Sequence, residues 1–168
     1  MRSLALDMVE TIKKNILNLI LILSIFLLDR ISKWIVLNFE ELYGIKNYAL
    51  TPFLNFELIW NKGIAFGLLS FSSHTIYNLI SLIIFLVILI IIFLLFKSKK
   101  IEKLFLTLIL GGAIGNLYDR IIYKSVPDFI DFHINNFHWF IFNVADIFIT
   151  LGVLGLIFIE IFFKKNEI

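Results

Sequence analysis

Four stretches of the chain are predominantly apolar over more than 20 positions each, at 15–39, 75–96, 103–123 and 139–163. A helix needs about 20 such residues to cross the hydrocarbon of a bilayer, so the pattern predicts four transmembrane helices. The second stretch carries no charged residue and is expected to face lipid widely. In the other three, the polar residues gather in one half of the span. At about 1.5 Å of rise per residue, Asp29 and Lys33 lie roughly 22 and 28 Å from Lys14. By the same measure Asn116 and Asp119 lie roughly 20 and 24 Å from Lys103, and Asp146 and Asn143 roughly 27 and 31 Å from Lys164. Three spans thus bring polar groups to one level near an edge of the hydrocarbon, although each group would be better solvated in water.

The segments between spans are short and follow a different rhythm. LNFELIW (54–60) alternates weakly and is rich in aromatic residues and Ile, which predicts a short strand or hairpin within the 40–74 loop. Asn61-Lys62-Gly63 reads as a turn after it. Positions 65–70 and those beyond suit a small strand or an interfacial helix. The 124–138 loop is short and holds Asp128 and Asp131. Neither repeats nor low-complexity linkers divide the chain. The expected architecture is an all-α integral membrane protein: four transmembrane helices, a small β-containing outer loop region, and one membrane-embedded domain over 1–168.

Composition sharpens this. Of 168 residues, 60% are hydrophobic and only 17% charged, against about a quarter charged in soluble domains; the mean hydropathy is +0.96. A net charge of +2 argues against nucleic acid as a partner. With no Cys, disulfides, thiol nucleophiles and thiolate metal sites are excluded. The first apolar stretch follows Lys13 and Lys14 as a signal peptide would. No small-x-small cleavage site follows it, and the apolar pattern continues past Asp29 and Arg30, so it reads as a retained span.

Basic residues set the expected orientation. Arg2, Lys13, Lys14, Lys97, Lys99, Lys100, Lys103, Lys164 and Lys165 fall on one side of the four spans, and Lys46, Lys62 and Lys124 on the other. By the positive-inside rule both termini are cytoplasmic and the 40–74 loop is outside. Trp34, Trp60 and Trp139 fall near the outer interface, where amphipathic rings settle.

Candidate chemistry lies in the polar clusters. Asp128 in VPDF (126–129) and Asp146 in FNVAD (142–146) flank the start of the last span. A carboxylate in or beside hydrocarbon is costly enough to suggest function, and two brought together can share a proton, as in an aspartic protease. Taken alone, Asp146 also suits a helix-cap role and Asp128 an ordinary loop acid. Asn116, Asp119 and Arg120 share a helix face; Arg120 could bind substrate carbonyls or order a carboxylate, or the Asp119–Arg120 pair could simply snorkel. Asp29 and Lys33, four apart, suit an intrahelical ion pair. Gly111, Gly112 and Gly115 predict close helix packing. His74, His133 and His138 form no metal pattern, since no third ligand of comparable quality accompanies the last two; no metal site and no cofactor are expected. Asp131, outside the motifs, is expected to face water. A proton- or ion-coupled transporter would place acids near the midplane, usually in repeated halves, and a non-catalytic membrane scaffold is the third class of reading.

With DRISK (29–33), NKGIAFG (61–67), GGAIGNLYDR (111–120), VPDF and FNVAD in this order, the chain resembles the lipoprotein signal peptidases, signal peptidase II, membrane aspartic proteases of bacteria. The resemblance covers nearly the whole chain. It implies that Asp128 and Asp146 are the catalytic dyad, that Asn61, Asn116, Arg120 and Asn143 line the site, and that Asp29, Lys33 and Asp119 support it. It further implies an endopeptidase in the bacterial cytoplasmic (inner) membrane, with its active site near the extracytoplasmic face. The implied substrate is the signal peptide of a diacylglyceryl-modified prolipoprotein, cut just before the lipid-modified Cys without metal or organic cofactor. Membrane lipids are the other expected partner, and the oligomeric state stays open, a monomer being compatible. One departure is Ser125, where the family usually has Gly before the Val of VPDF.

Overall fold

The computed structural model describes residues 2–63, 74–98, 100–135 and 137–163. In chain order these form α1 (Arg2–Tyr43), β1 (Asn47–Thr51), β2 (Leu54–Asn61), α2 (His74–Lys97), α3 (Lys100–Tyr123), β3 (Val126–Ile134), β4 (Phe137–Phe142) and α4 (Val144–Phe162). Among the described residues three helical stretches are long and apolar enough to cross a membrane: Thr75–Lys97, Ile101–Tyr123 and Val144–Phe162. The protein is therefore mostly helical, with a small antiparallel sheet. Apolar stretches two and three match α2 and α3 closely. The fourth does not, because 139–142 belong to β4 and the helix begins only at Val144. Phe, Ile and Trp suit a strand as readily as a membrane span, so an apolar run cannot by itself mark where one becomes the other. The expectation for 65–70 lies outside the described residues.

Helix α3 is central, packed by α1, α2 and α4. Its contact with α2 is aliphatic, with Ile88 and Ile91 buried against Leu106, Ile109 and Leu110. The glycines allow the other two contacts. A Cβ on Gly111 would stand 2.9 Å from Ile25 of α1, and one on Gly115 would stand 2.6 Å from the Asp29 carboxylate. Gly112 faces the backbone carbonyl of Ala145, and Gly152 of α4 lies against Ile109 and the backbone of Phe105. Close approach in lipid depends on such small residues, since apolar burial drives little association there. Outside these seams, aliphatic and aromatic side chains such as Leu17, Ile90, Phe93 and Leu154 are exposed, as lipid-facing surfaces require.

The strands form one antiparallel sheet in the order β1-β2-β3-β4. Strand β2 is the strand expected from LNFELIW, extended through Asn61 and hairpinned to β1. The 124–138 segment, expected as a short loop, is instead most of a second hairpin, β3–β4, paired to β2 through Asn61↔Val126, Ile59↔Asp128 and Asn55↔Asp131. Lys124 takes a left-handed backbone (φ 56) just before β3. The tight turn thus falls one residue before Ser125, whose hydroxyl donates to the Tyr123 carbonyl at 3.2 Å.

The α3–α4 seam yields a test. Gly152→Ala would place a Cβ 2.7 Å from the Phe105 carbonyl oxygen, on backbone that cannot step aside. Overpacking of this kind costs about 1–3 kcal/mol, so thermal unfolding in detergent should fall for Gly152→Ala and stay unchanged for Leu151→Ala, whose side chain is exposed.

Candidate active site

The site is assembled on charges that hydrocarbon could not tolerate singly. Asp29, Lys33 and Asp119 are almost completely buried between α1 and α3. The Lys33 ammonium donates to Asp29 at 3.0 Å, to the side-chain oxygen of Asn116 at 3.0 Å and to Asp119 at 2.7 Å. Arg30 bonds Asp119 through both terminal nitrogens and Asp29 at 2.6 Å. The intrahelical Asp29–Lys33 pair is present, but as part of a four-charge cluster of zero net charge. Arg30 belongs to this cluster although the sequence reading gave it no role there. Adjacent helical residues do not face each other, and only the length of the Arg side chain brings it round. Burial of Asp119 and Arg120 excludes simple snorkelling.

Asp29 has a second task. Its Oδ1 accepts from the Ala145 amide at 3.1 Å, so α1 holds the first turn of α4, where a helix favours an anion. Asn143 is the N-cap of α4, accepting from the Asp146 amide at 3.1 Å, while Asp146 accepts from the Asn143 amide at 3.2 Å. The cap role weighed for Asp146 is therefore real, as the second half of a capping box. It occupies one carboxylate oxygen. The other accepts from Asn116 Nδ2 at 2.8 Å.

Asp128 enters from the sheet. Asn61 at the end of β2 sits beside it on the paired strand and donates to Oδ2 at 2.8 Å, and Asn143 donates to Oδ1 at 2.6 Å. The turn expected at 61–63 is present as a bond from the Gly63 amide to Asn61 Oδ1 at 2.8 Å. Arg120 donates to the carbonyls of Asn116 at 3.0 Å and Gly63 at 3.2 Å, while its buried Nε has no partner. Asn61, Asn116, Arg120, Asn143, Asp128 and Asp146 all line one cavity of about 430 Å³, whose remaining wall includes Ile84, Ile149, Val153 and Leu154. Burial, and then the neighbouring Asp146 charge, push the Asp128 carboxyl up to about 7, against the opposing pull of Asn61 and Asn143.

One expectation fails. Asp131 does not face water: it is fully buried, with His138 Nδ1 at 2.8 Å and His133 Nδ1 at 3.8 Å from its Oδ2. It is also the third ligating residue that the sequence reading did not find for His133 and His138. Reading 124–138 as loop hid the cross-strand pairing that joins them.

The profile of the family described as Signal peptidase (SPase) II matches residues 21–163. A lipoprotein signal peptidase of Pelagibacter ubique is 52% identical over 93% of this chain and 94% of its own. One from a Sulfurihydrogenibium species is 40% identical over 77% of this chain and 83% of its own. A solved bacterial membrane enzyme superposes with a TM-score of 0.74 at 26% identity, covering 90% of this chain and 91% of its own.

The raised Asp128 carboxyl links to stability. Between the ordinary carboxyl value of 3.8 and about 7 the folded chain keeps a proton that the unfolded chain has lost. The contribution is fully present below the lower value and declines as pH rises through that window. Thermal unfolding in detergent at pH 4, 6 and 8 should give a wild-type minus Asp128→Asn difference that falls with pH. A flat difference would show that Asp128 titrates normally.

Proposed function

This chain belongs to the signal peptidase II family, and we propose that Asp128 and Asp146 form the catalytic dyad of an aspartic endopeptidase. The chain is a peptidase that removes signal peptides from prolipoproteins. The observation that carries the aspartic assignment is the pair of carboxylates on the wall of one cavity, each held by Asn donors and neither neutralised by a directly bonded cation. Lys33 and Arg30 serve Asp29 and Asp119 instead. In the proposed reaction the dyad carries one proton. The ionised carboxylate takes a proton from water, which attacks the scissile carbonyl; the protonated partner polarises that carbonyl and later protonates the leaving amine. Arg120 lines the same cavity and brings a positive charge to it beside the two aspartates.

The finer substrate reading follows from the cavity's two ends. Its polar end holds the dyad, and its apolar flank is built from α2 and α4 side chains exposed elsewhere to lipid. A diacylglyceryl-modified Cys anchored at the interface would present the bond before it at the polar end while its chains lie along the apolar flank. In this reading α1 is the fourth span, 1–168 is a single membrane-embedded domain, both termini are cytoplasmic and the sheet lies at the extracytoplasmic face of the bacterial inner membrane. Exposed Trp60 on β2 and Trp34 toward the C-terminal end of α1 support that depth.

Cleavage of a diacylglyceryl-modified prolipoprotein tests the dyad. Asp128→Asn and Asp146→Asn should each lower turnover about a thousandfold or more. Wild-type activity should fall on the alkaline side as pH rises past about 7, where Asp128 loses its proton and the acid of the pair. Substantial cleavage by either variant removes the assignment.

Orientation is tested separately by single Cys substitutions in intact cells. Ser98→Cys should react with a membrane-impermeant thiol reagent only after permeabilisation, and Lys46→Cys without it. The reverse labelling would put the dyad on the cytoplasmic side.

A further inference from the structure

A second cluster stands apart from the dyad. Asp131 and His133 are two residues apart on β3 and His138 lies directly across from His133 on β4, so all three side chains share one face of the hairpin. Asp128, three positions before Asp131, falls on the alternate face. The three residues bring one ligating atom each to within 4.8 Å of one another. Asp131 is fully buried, His133 nearly so, and His138 half exposed at the rim.

Hydrogen bonding inside the cluster leaves it unfinished. Asp131 Oδ2 takes His138 at 2.8 Å and Asn55 Nδ2 at 3.3 Å. Among the described residues, its Oδ1 and the Nδ1 of His133 are buried without a hydrogen-bond partner. An orphaned buried carboxylate oxygen beside an orphaned imidazole nitrogen costs free energy that a shared ligand would recover. A cation bound by both residues would give each of these atoms a partner.

We propose that Asp131, His133 and His138 form a binding site for a divalent transition-metal cation of the zinc class. Two imidazoles and one carboxylate suit zinc, copper or nickel, whereas magnesium and calcium prefer oxygen-rich shells. Ligand bonds of about 2.0–2.1 Å in a tetrahedron put ligand atoms roughly 3.3 Å apart. The present separations from Asp131 Oδ2, 2.8 and 3.8 Å, straddle that spacing. The imidazoles stack at 4.9 Å and 13°, so side-chain rotation, not backbone movement, would converge them on the ion. Three protein ligands leave the fourth position to water at the half-exposed His138 rim. The bound ion cross-links β3 to β4, and so braces the strand that carries Asp128 without entering its cavity.

The test uses untagged, chelator-stripped full-length protein in detergent, with Zn²⁺ alone as the probe. Titration against a chromophoric chelator should find one Zn²⁺ per chain, and Zn²⁺ should raise the unfolding temperature. His133→Ala and His138→Ala should each weaken binding at least tenfold, and the double variant should lose both binding and the thermal shift. His138→Ala also removes the 2.8 Å bond to buried Asp131, so each variant's metal-free unfolding temperature is measured beside wild type and only the further rise on adding Zn²⁺ is read as binding. Millimolar Mg²⁺ or Ca²⁺ should not displace Zn²⁺. Uptake equal in wild type and the double variant, or displacement by Mg²⁺, would overturn the proposal. Peptide cleavage is not a readout, so the outcome is independent of the dyad assignment.

Discussion

The register of the helices that carry the site rests on the neutral four-charge cluster between α1 and α3. An isolated charge at that depth would cost several kcal/mol even after relaxation, so Asp29, Arg30, Lys33 and Asp119 are stable there only together. Their mutual dependence fixes the register of α1 against α3. The glycine at 115 is what admits the Asp29 carboxylate to α3, and that carboxylate in turn holds the Ala145 amide at the start of α4. Three helices are thus set relative to one another by a few polar bonds, in surroundings where greasy surfaces supply little preference for one neighbour over another.

Three amides reach the two aspartates, and of these Asn116 is bonded to the charge cluster while Asn143 and Asn61 are bonded to backbone amides. Each Asn has one acceptor and one donor end, and its neighbours decide which way it points. The Lys33 ammonium can only donate, so it claims the oxygen of Asn116 and turns the amide nitrogen toward Asp146. Asn143 accepts from a backbone amide and therefore aims its nitrogen at Asp128; Asn61 does the same after accepting from Gly63. Three amides consequently present donors to two carboxylates. Neutral donors steady those carboxylates without neutralising them, as a full cation would. The buried charges orient Asn116, and backbone amides orient Asn143 and Asn61.

How much of this was legible in the sequence varies by residue. The acids and amides were conspicuous because each is out of place in hydrocarbon, and the helix rise put them at one depth. Arg30 was missed as a partner because helical spacing directs attention to i+4, where Lys33 stands. The boundary of α4 was missed because Phe140, Ile141 and Phe142 satisfy a strand and a span equally. That error carried a second: with 124–138 taken as loop, His133 and His138 were merely close in sequence, and Asp131 had no reason to be buried. Pairing β3 with β4 sets all three side by side.

The sheet and the helices make different contributions to the pair of aspartates. Asp146 is fixed by a capping box, local to four residues and legible once the helix start is known. Asp128 depends on a strand paired with β2, more than sixty positions earlier in the chain. Bonds of that second kind close a much longer stretch of chain, which costs more entropy before its contacts repay it. The pair of aspartates therefore needs both the start of α4 and the β2–β3 pairing in place. Where the two acids line one cavity, Asn143 and Asn61 hold Asp128 while the capping box and Asn116 hold Asp146, so each carboxylate has its own neutral donors.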